Sequence, residues 1–429
     1  MQSMAFLHEN IILPLSDLLQ GEQVHKYLRL LKEAEGWTPA QMKSFQQERL
    51  RELMAYAATE VPFYRDWFHD HKLDPQTATL SQLPIVSKTI MRQEGIDRFT
   101  AKHFPIKQRI TSRSSGSTGE PFSYLVSKKA NSVNTAAKLR TWYQAGYRLG
   151  DKYMKIANGE RQGKLKKWQD HINRCVFVPF YSIDDVSLRN ILDTIEKERP
   201  LYIRSYPAPI YLLARYRNSH TGFSHTPRRI FTTGSTLSEA HRKEIERAFG
   251  CDIIDSYSCE GTPNTYETPD HDGYHVCGYY GIIEILDNEG HPITDGIGRV
   301  VSTDLWSLAH PFIRYDTQDL VEVRNGKIIR IMGRESDAYL THGGETYTVH
   351  NFSHYFLYDI QGVESYQIVH HRDGRITFNI VTNNEFESIE KQRIVDYWQP
   401  KLGTAISVNI VDSIPLMHNN KRQTIIHEP

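Results

Sequence analysis

Between residues 129 and 257 strand-like apolar runs and helical segments take turns along the chain. A helix is expected over 129–145. Strands are expected at "YMKIA", "CVFVPFY", "LYIRSY", "RRIFTTG" and "CDIIDSY", with helices between them at "SLRNILDTIEKERP", "APIYLLARYRNS" and "SEAHRKEIERAFG". Strand and helix in alternation, joined by short connections, specify layered α/β architecture. Upstream, residues 16–35 have helical apolar spacing at Leu18, Leu19, Val24, Leu28 and Leu31. Thr38-Pro39 then supplies an N-cap and a proline at the first helical position, so a second helix is expected to about Thr59. These opening helices, within residues 1–75, read as a cap on a larger body.

After residue 279 the texture becomes β-rich, with "YYGIIEILD", "GRVVSTDL" and "DLVEVRNGKIIRIMG", and Asn325-Gly326 is a hairpin turn signal. A last block with a strand at "RITFNIVT" and a helix at 385–399 suits a small α+β appendage. The expectation is a large multilayer α/β unit over 1–332 and a small α+β unit over 333–429.

The chain has 429 residues, 39 % of them hydrophobic, which is enough for a large core. Its 51 Lys plus Arg balance 51 Asp plus Glu, which argues against a nucleic-acid or anionic-membrane surface as its main business. Four cysteines, Cys175, Cys251, Cys259 and Cys277, form no CxxC pair and fit a reducing compartment. The N-terminus has no basic n-region, and no stretch approaches the length of a bilayer span. The expectation is a cytoplasmic protein without membrane insertion.

Residues 110–126 read "ITSRSSGSTGEPFSYLV". The Ser/Gly run lies between two strand-like runs, so it reads as a hairpin loop rather than a linker. Consecutive small residues let backbone N–H groups converge on an anion, and hydroxyls add donors. It is not a Walker A loop, because no Gly-Lys-Ser/Thr closes it and a strand follows. Taken alone it is equally an ordinary loop.

Four further stretches carry chemistry. "DSYSCEG" puts Glu260 at a strand end, where a carboxylate could hold Mg²⁺ beside phosphate oxygens; by itself it reads as a surface glutamate. "FIRYDTQDL" carries Asp319, which can accept from a ribose diol, pair with Arg314 or make a turn. "MGRESDAYLTHGGETY" places Gly333-Arg334 where the texture changes, as a hinge or a plain β-turn. "PLMHNNKRQTI" carries Lys421 on a polar loop near the C-terminus.

These segments, in this order, resemble the adenylate-forming superfamily of acyl-CoA synthetases, adenylation domains and luciferases, nearest to its phenylacetate-CoA ligase-like and CapK-like branch. "SSGSTGEP" resembles the family's phosphate loop, "YSCE" its Tyr-x-x-Glu, "RYDTQD" its Arg-Tyr-x-Thr-Gly-Asp, "GRESD" its Gly-Arg-x-Asp-Asp and "NNKRQ" its terminal Gly-Lys segment. "VPFYRDWF", "LPIVSK", "AGYRLGDK" and "SYPAPIYLLARY" agree, and the resemblance covers nearly the whole chain.

The resemblance implies a large adenylation domain with a small mobile C-terminal domain carrying the catalytic lysine. It implies that Ser115, Gly116, Ser117, Thr118 and Gly119 cradle ATP phosphates. Glu260 would bind Mg²⁺, Tyr257 would lie by the adenine flanked by Ser256 and Ser258, and Gly234 and Ser235 would line the nucleotide pocket. Asp319 would hold the ribose with Arg334 close by, and Lys421 would reach the α-phosphate and the substrate carboxylate. Tyr206, Phe231 and Trp142, with Tyr257, are candidates for the acid pocket.

The implied activity is AMP-forming: a small carboxylic acid is activated with ATP and passed to an amine, a carrier-protein thiol or coenzyme A. A phenylacetate-CoA-ligase-like synthetase and a catalytically retired nucleotide-binding protein are the alternatives. The basic stretch 160–171, expected in a loop, is either a solvated charge run or a contact for a phosphorylated acceptor. The chain departs from the family at Glu120 and Phe122 in the phosphate loop, at Gln318 and Asn420 where relatives have glycine, and at Ser336, although Asp337 keeps the second hinge Asp. Thr268 follows Glu267 and "RIMGR" lacks cysteine, so no structural zinc is expected. The sequence does not determine the oligomeric state.

Overall fold

In the computed structural model the strands expected between residues 153 and 334 assemble into one large sheet. The structure describes residues 2–113, 123–157, 163–180, 185–334, 339–340, 346–347, 352, 355–356, 360–414 and 424–428. A short β1 (Val86–Ser87) precedes the hairpin of β2 (Arg109–Arg113) and β3 (Ser123–Ser127), which brackets the Ser/Gly loop. The alternating region gives β4 (Tyr153–Ala157), β5 (Cys175–Pro179), β6 (Tyr202–Ser205), β7 (Arg229–Thr233) and β8 (Asp252–Tyr257). All five pair in parallel, in the order β5-β4-β6-β7-β8. The order reverses at β4, because the strands that follow it in the chain flank it on opposite sides.

Parallel strands are covered on both faces, so their residues are apolar on both. Ile203, Ile230 and Ile253 are fully buried in a core with helices Asp185–Glu198, Pro207–Ser219 and Glu239–Phe249. Tyr202, Phe231 and Ile254 point the other way, into a second core that includes helix Lys128–Gln144.

The sheet continues through β9 (Thr265–Glu267), β10 (Tyr274–Val276), β11 (Gly281–Leu286), β12 (Gly296–Asp304), β13 (Tyr315–Arg324) and β14 (Lys327–Arg334). With β1 attached to β13 it has twelve strands. Asn325 and Gly326 both take positive φ, at 50° and 73°, and form the turn between β13 and β14. Beyond it come the pair β15 (Tyr339–Leu340) and β16 (Thr346–Tyr347). A separate four-stranded sheet follows, of β17 (Val363–His370), β18 (Ile376–Thr382), β19 (Ile406–Ile410) and β20 (Ile425–His427). Helix Ile389–Leu402 packs on it through Ile394, Trp398 and Leu402.

Two local expectations are corrected. The helical spacing over 16–35 is split: helix Leu13–Gln20 stops at Gly21, which takes φ 65° as a left-handed cap, and Val24–Ala34 starts afresh. Leu18 and Leu19 are consequently solvent-facing, at 79 % and 78 % exposure. The described part of the basic stretch is not a loop but helix Lys164–Ile172, since "KLKKWQDHI" is rich in good helix formers. Thr38 caps helix Pro39–Glu60 as expected, in a reciprocal box with Gln41. Among the described residues no helix is long and apolar enough to cross a membrane.

Candidate active site

Tyr257 closes β8 and faces β13. Its hydroxyl donates to Asp319 Oδ2 at 2.7 Å and approaches Thr317 Oγ1 at 3.4 Å. The Thr317 hydroxyl donates to the Val300 carbonyl at 3.0 Å and accepts from the Asp319 amide at 3.1 Å. Asp319 is therefore held by two neighbours in a buried position. Burial, and then the Asp319 charge, push the Tyr257 phenol well above its ordinary range. Gln318, between Thr317 and Asp319 in the chain, takes φ 60°, and its amide donates to Asp316 Oδ1 at 2.9 Å. A left-handed residue there explains why glycine suits this position.

Arg314 is not the partner of Asp319. It makes a bidentate pair with Glu284, Nε to Oε2 and Nη2 to Oε1 both at 3.0 Å, and donates to the Leu83 carbonyl at 3.0 Å.

The loop after β7 comes to the same edge. Gly234 takes φ 82°, and a Cβ there would lie 2.6 Å from Cε1 of Tyr206. The backbone thus passes directly over the Tyr206 ring, and Ser235 follows it into solvent. A Cβ on Gly333, in β14, would be 3.7 Å from Oγ1 of Thr236 in this loop. Arg334 is the register partner of Asp319 across β13 and β14. Gly234, Tyr257, Asp319 and the Arg334 backbone therefore converge, although about a hundred residues separate the first from the last.

Glu260 lies in the turn after Tyr257. Thr262 ties this turn together: Cys259 N–H donates to its hydroxyl at 2.5 Å, and the hydroxyl donates back to the Cys259 carbonyl at 2.9 Å. Gly261 takes φ 69°, and a side chain there would strike Phe312, with Cβ 2.4 Å from Cγ. Phe312 packs edge-on against Tyr124, at 5.3 Å between centroids, and Tyr124 belongs to β3, just after the Ser/Gly loop. Burial raises the Tyr124 phenol to about 12, and the Glu260 charge adds to this. Glu260 thus stands near the foot of the Ser/Gly hairpin. It is half-buried, and among the described residues it makes no ion pair.

Of the acid-pocket candidates, Trp142 stacks on Phe231 at 4.6 Å and 5° between planes. Phe231 is 2 % exposed and belongs to the core, while Trp142 is partly exposed above it. Ser256 lies with Tyr257 in β8, and Ser258 follows the strand. Ser115, Gly116, Ser117, Thr118, Gly119 and Lys421 lie outside the described residues, as do Glu120, Phe122, Ser336, Asp337 and Asn420, and Arg334 is described by its backbone only.

Sequence reading passed over two groups. Beneath Tyr257, buried Asp255 accepts from the Thr232 hydroxyl at 2.6 Å and the Tyr274 hydroxyl at 2.7 Å, and burial raises its carboxyl to about 6. On the face of helix Lys128–Gln144, Lys155 and Arg204 interrupt otherwise apolar strands. A cation within each of "YMKIA" and "YIRS" was the available signal.

No family model matches the chain. Over 406 residues it is 23 % identical to protein CapK of Staphylococcus aureus, covering 89 % of this chain and 88 % of that protein. Phenylacetate-coenzyme A ligase of Thermus thermophilus is 26 % identical over 369 residues, covering 78 % and 79 %. Among solved structures, 2-hydroxyisobutyryl-CoA ligase in its postadenylation state with 2-HIB-AMP superposes with TM-score 0.70 at 18 % identity, over 89 % of this chain and 88 % of that one. The amide bond synthetase McbA of Marinactinospora thermotolerans gives TM-score 0.56 at 15 % identity, over 75 % and 69 %. At such identities the structural likeness concerns the fold, while the two sequence relatives span most of their own length. Both sequence relatives and the shared fold place the chain's likeness with the adenylate-forming superfamily, at its phenylacetate-CoA ligase-like branch.

Proposed function

We propose that this chain is an ATP-dependent, AMP-forming ligase that activates a carboxylic acid as its acyl-adenylate and passes the acyl group to an amine or thiol. The observation that carries this reading is the convergence of Gly234, Tyr257, Glu260 and Asp319 at the carboxyl ends of β7 and β8. In open α/β sheets ligands bind at that edge.

In the first step a carboxylate oxygen bonds to the α-phosphorus of ATP and pyrophosphate leaves. In the second, the acceptor's nitrogen or sulfur bonds to the acyl carbon and AMP leaves. Little covalent chemistry falls to the protein, so positioning and charge stabilisation dominate. Asp319, oriented by Tyr257 and Thr317, would accept from the ribose hydroxyls. Gly234 would let the backbone pass close to the base. Ser115–Gly119 would hold the phosphates, and Lys421 would meet the α-phosphate and the acid.

The half-buried Glu260 carboxylate, without an ion pair among the described residues, has the hard-oxygen chemistry that Mg²⁺ requires. Bound there, Mg²⁺ would supply charge neutralisation of the phosphates. Relatives bearing CoA-ligase and amide-synthetase names support both acceptor classes, coenzyme A or a carrier thiol on one side and an amine on the other.

The test is nucleotide product analysis with ATP, Mg²⁺, hydroxylamine as generic acceptor and a panel of acids. Acid-dependent AMP and pyrophosphate, lost in Lys421→Ala, is the expected result. ADP and phosphate would contradict the reading, and ATP binding without any turnover would favour a retired nucleotide-binding protein.

A further inference from the structure

From Gln2 to Gln20 the chain is one continuous helical run: α-helix Gln2–Leu7, a π-helical turn His8–Ile12 and α-helix Leu13–Gln20. After the wider turn the Leu13 amide donates to the His8 carbonyl, five residues back. The run is built inside out, with its charged side chains turned into the protein. Glu9 pairs with Lys32 and accepts from the Tyr143 hydroxyl at 2.8 Å. Asp17 is 8 % exposed and accepts from the His25 amide at 2.8 Å. His8 is buried against Gly150, where a Cβ would lie 2.6 Å from its Cδ2. At the end of the run Lys128 Nζ donates to the Gln20 carbonyl at 2.8 Å.

The outer face is apolar. Leu7, Ile11, Leu15 and Leu18 recur every three or four residues and so share one side of the helix, with Phe6 and Leu19 beside them. These six side chains belong to residues between 39 % and 79 % exposed. Every exposed residue from Met4 to Gln20 is uncharged. A surface helix ordinarily turns its apolar stripe to its own core and its charges to water. Here the bonds of Glu9 and Asp17 fix the opposite orientation, so the stripe cannot turn inward without breaking them.

Area and charge choose the occupant. With about 200 Å² for a large side chain fully exposed, the six present on the order of 700 Å². The largest apolar patch on a typical monomer is roughly 300–600 Å². A stable interface takes about 600–1,000 Å² from each partner. A lipid surface is the poorer match: helices that lie on membranes carry Lys and Arg along their polar face, and neither occurs between Gln2 and Gln20. A face without charge meets its own copy without repulsion. Antiparallel packing about a two-fold axis sets Phe6, at one end of the stripe, against the leucine pair at the other end in the second copy.

We infer that this face is the interface of a homodimer, in which two copies pack the Gln2–Gln20 run antiparallel across a two-fold axis. The inference stands apart from the adenylation reading, since it uses no residue of the nucleotide site.

The test is the mass of the full-length chain in solution, followed by sedimentation from about 0.1 to 100 μM, a range that spans the weaker interfaces of this size. A dimer with a dissociation constant of about micromolar or below is expected. Leu15→Met should keep it, and Leu15→Gln should weaken it by about tenfold or more. Leu15→Glu combined with Leu18→Glu sets like charges in the seam and should leave a monomer. Both positions face water in a single copy, so the variants are expected to melt with wild type at a concentration where wild type is itself monomeric. If the double variant does not fold, the milder Leu15→Gln decides.

Wild type that stays monomeric to the top of the range overturns the inference. So does a dimer that survives the double glutamate variant, which places the contact elsewhere. Cosedimentation with vesicles of neutral and of anionic phospholipid is the remaining arm. A monomeric wild type that binds them, with binding lost in the double variant, assigns the face to a lipid surface and overturns the dimer.

Discussion

Tyr257 reaches from the end of β8 to β13 and donates to Asp319 Oδ2 at 2.7 Å, with Thr317 Oγ1 3.4 Å away. The carboxylate is thereby aimed before any nucleotide arrives. Asp319→Asn is expected to raise KM for ATP by about ten- to a hundredfold, the scale of a charged hydrogen bond. Tyr257→Phe removes only the orienting bond and should cost roughly threefold to tenfold. The double variant should lose less than the two losses combined, because one bond is counted in both. Steady-state kinetics in ATP checks all three.

Gln318 takes φ 60° within β13. A side chain in the left-handed region costs about 1–2 kcal/mol, and glycine avoids this while losing more chain entropy. Gln318→Gly is expected to leave stability unchanged or slightly raised, whereas Gln318→Val should lower it by more than about 1 kcal/mol. Urea midpoints of the three proteins decide the order.

Gly234 has both a positive φ of 82° and the Tyr206 ring where a Cβ would go. Gly234→Ala is expected to destabilise by about 1–3 kcal/mol and to raise KM for ATP. Shortening the obstacle with Tyr206→Leu in the same chain should restore part of the stability. Failure of that rescue would place the defect in φ alone.

Asp255 is fully buried, and burial holds its carboxyl at about 6 against 3.8 in the unfolded chain. The folded chain keeps this proton where the unfolded chain has released it, so the contribution to stability falls as pH rises from about 4 to about 6. Buried Asp304, also raised to about 6, acts in the same sense. His241 and His310 oppose them: burial pulls each from 6.5 to about 4, so their contribution grows over the same window. Asp255→Asn removes one falling contribution. Relative to wild type, its unfolding free energy should gain roughly 2–3 kcal/mol between about pH 4 and 6, measured by denaturant titration.

Much of the large sheet was legible because parallel strands buried on two faces leave dense apolar runs. "YMKIA" is strand Tyr153–Ala157 to the residue, and Thr38 and Asn325-Gly326 mark their helix start and turn through local chemistry alone. The break at Gly21 was harder, since Leu18 and Leu19 keep the helical period while facing water. Pairings made across the chain were least legible. Arg314 lies closer in sequence to Asp319 than to Glu284, yet the sheet brings it to Glu284. Lys155 and Arg204 were hidden for the same reason, since they become neighbours only once β4 and β6 pair in register.

The most direct measurement uses an acid whose carboxylate is labelled with oxygen-18, chosen from those that support turnover. If the carboxylate oxygen bonds to the α-phosphorus and the acyl–oxygen bond later breaks, one labelled atom must end in AMP. Mass spectrometry of the nucleotide is expected to find AMP carrying a single heavy oxygen. Label in inorganic phosphate, together with ADP, or AMP free of label, would contradict acyl-adenylate formation at this site.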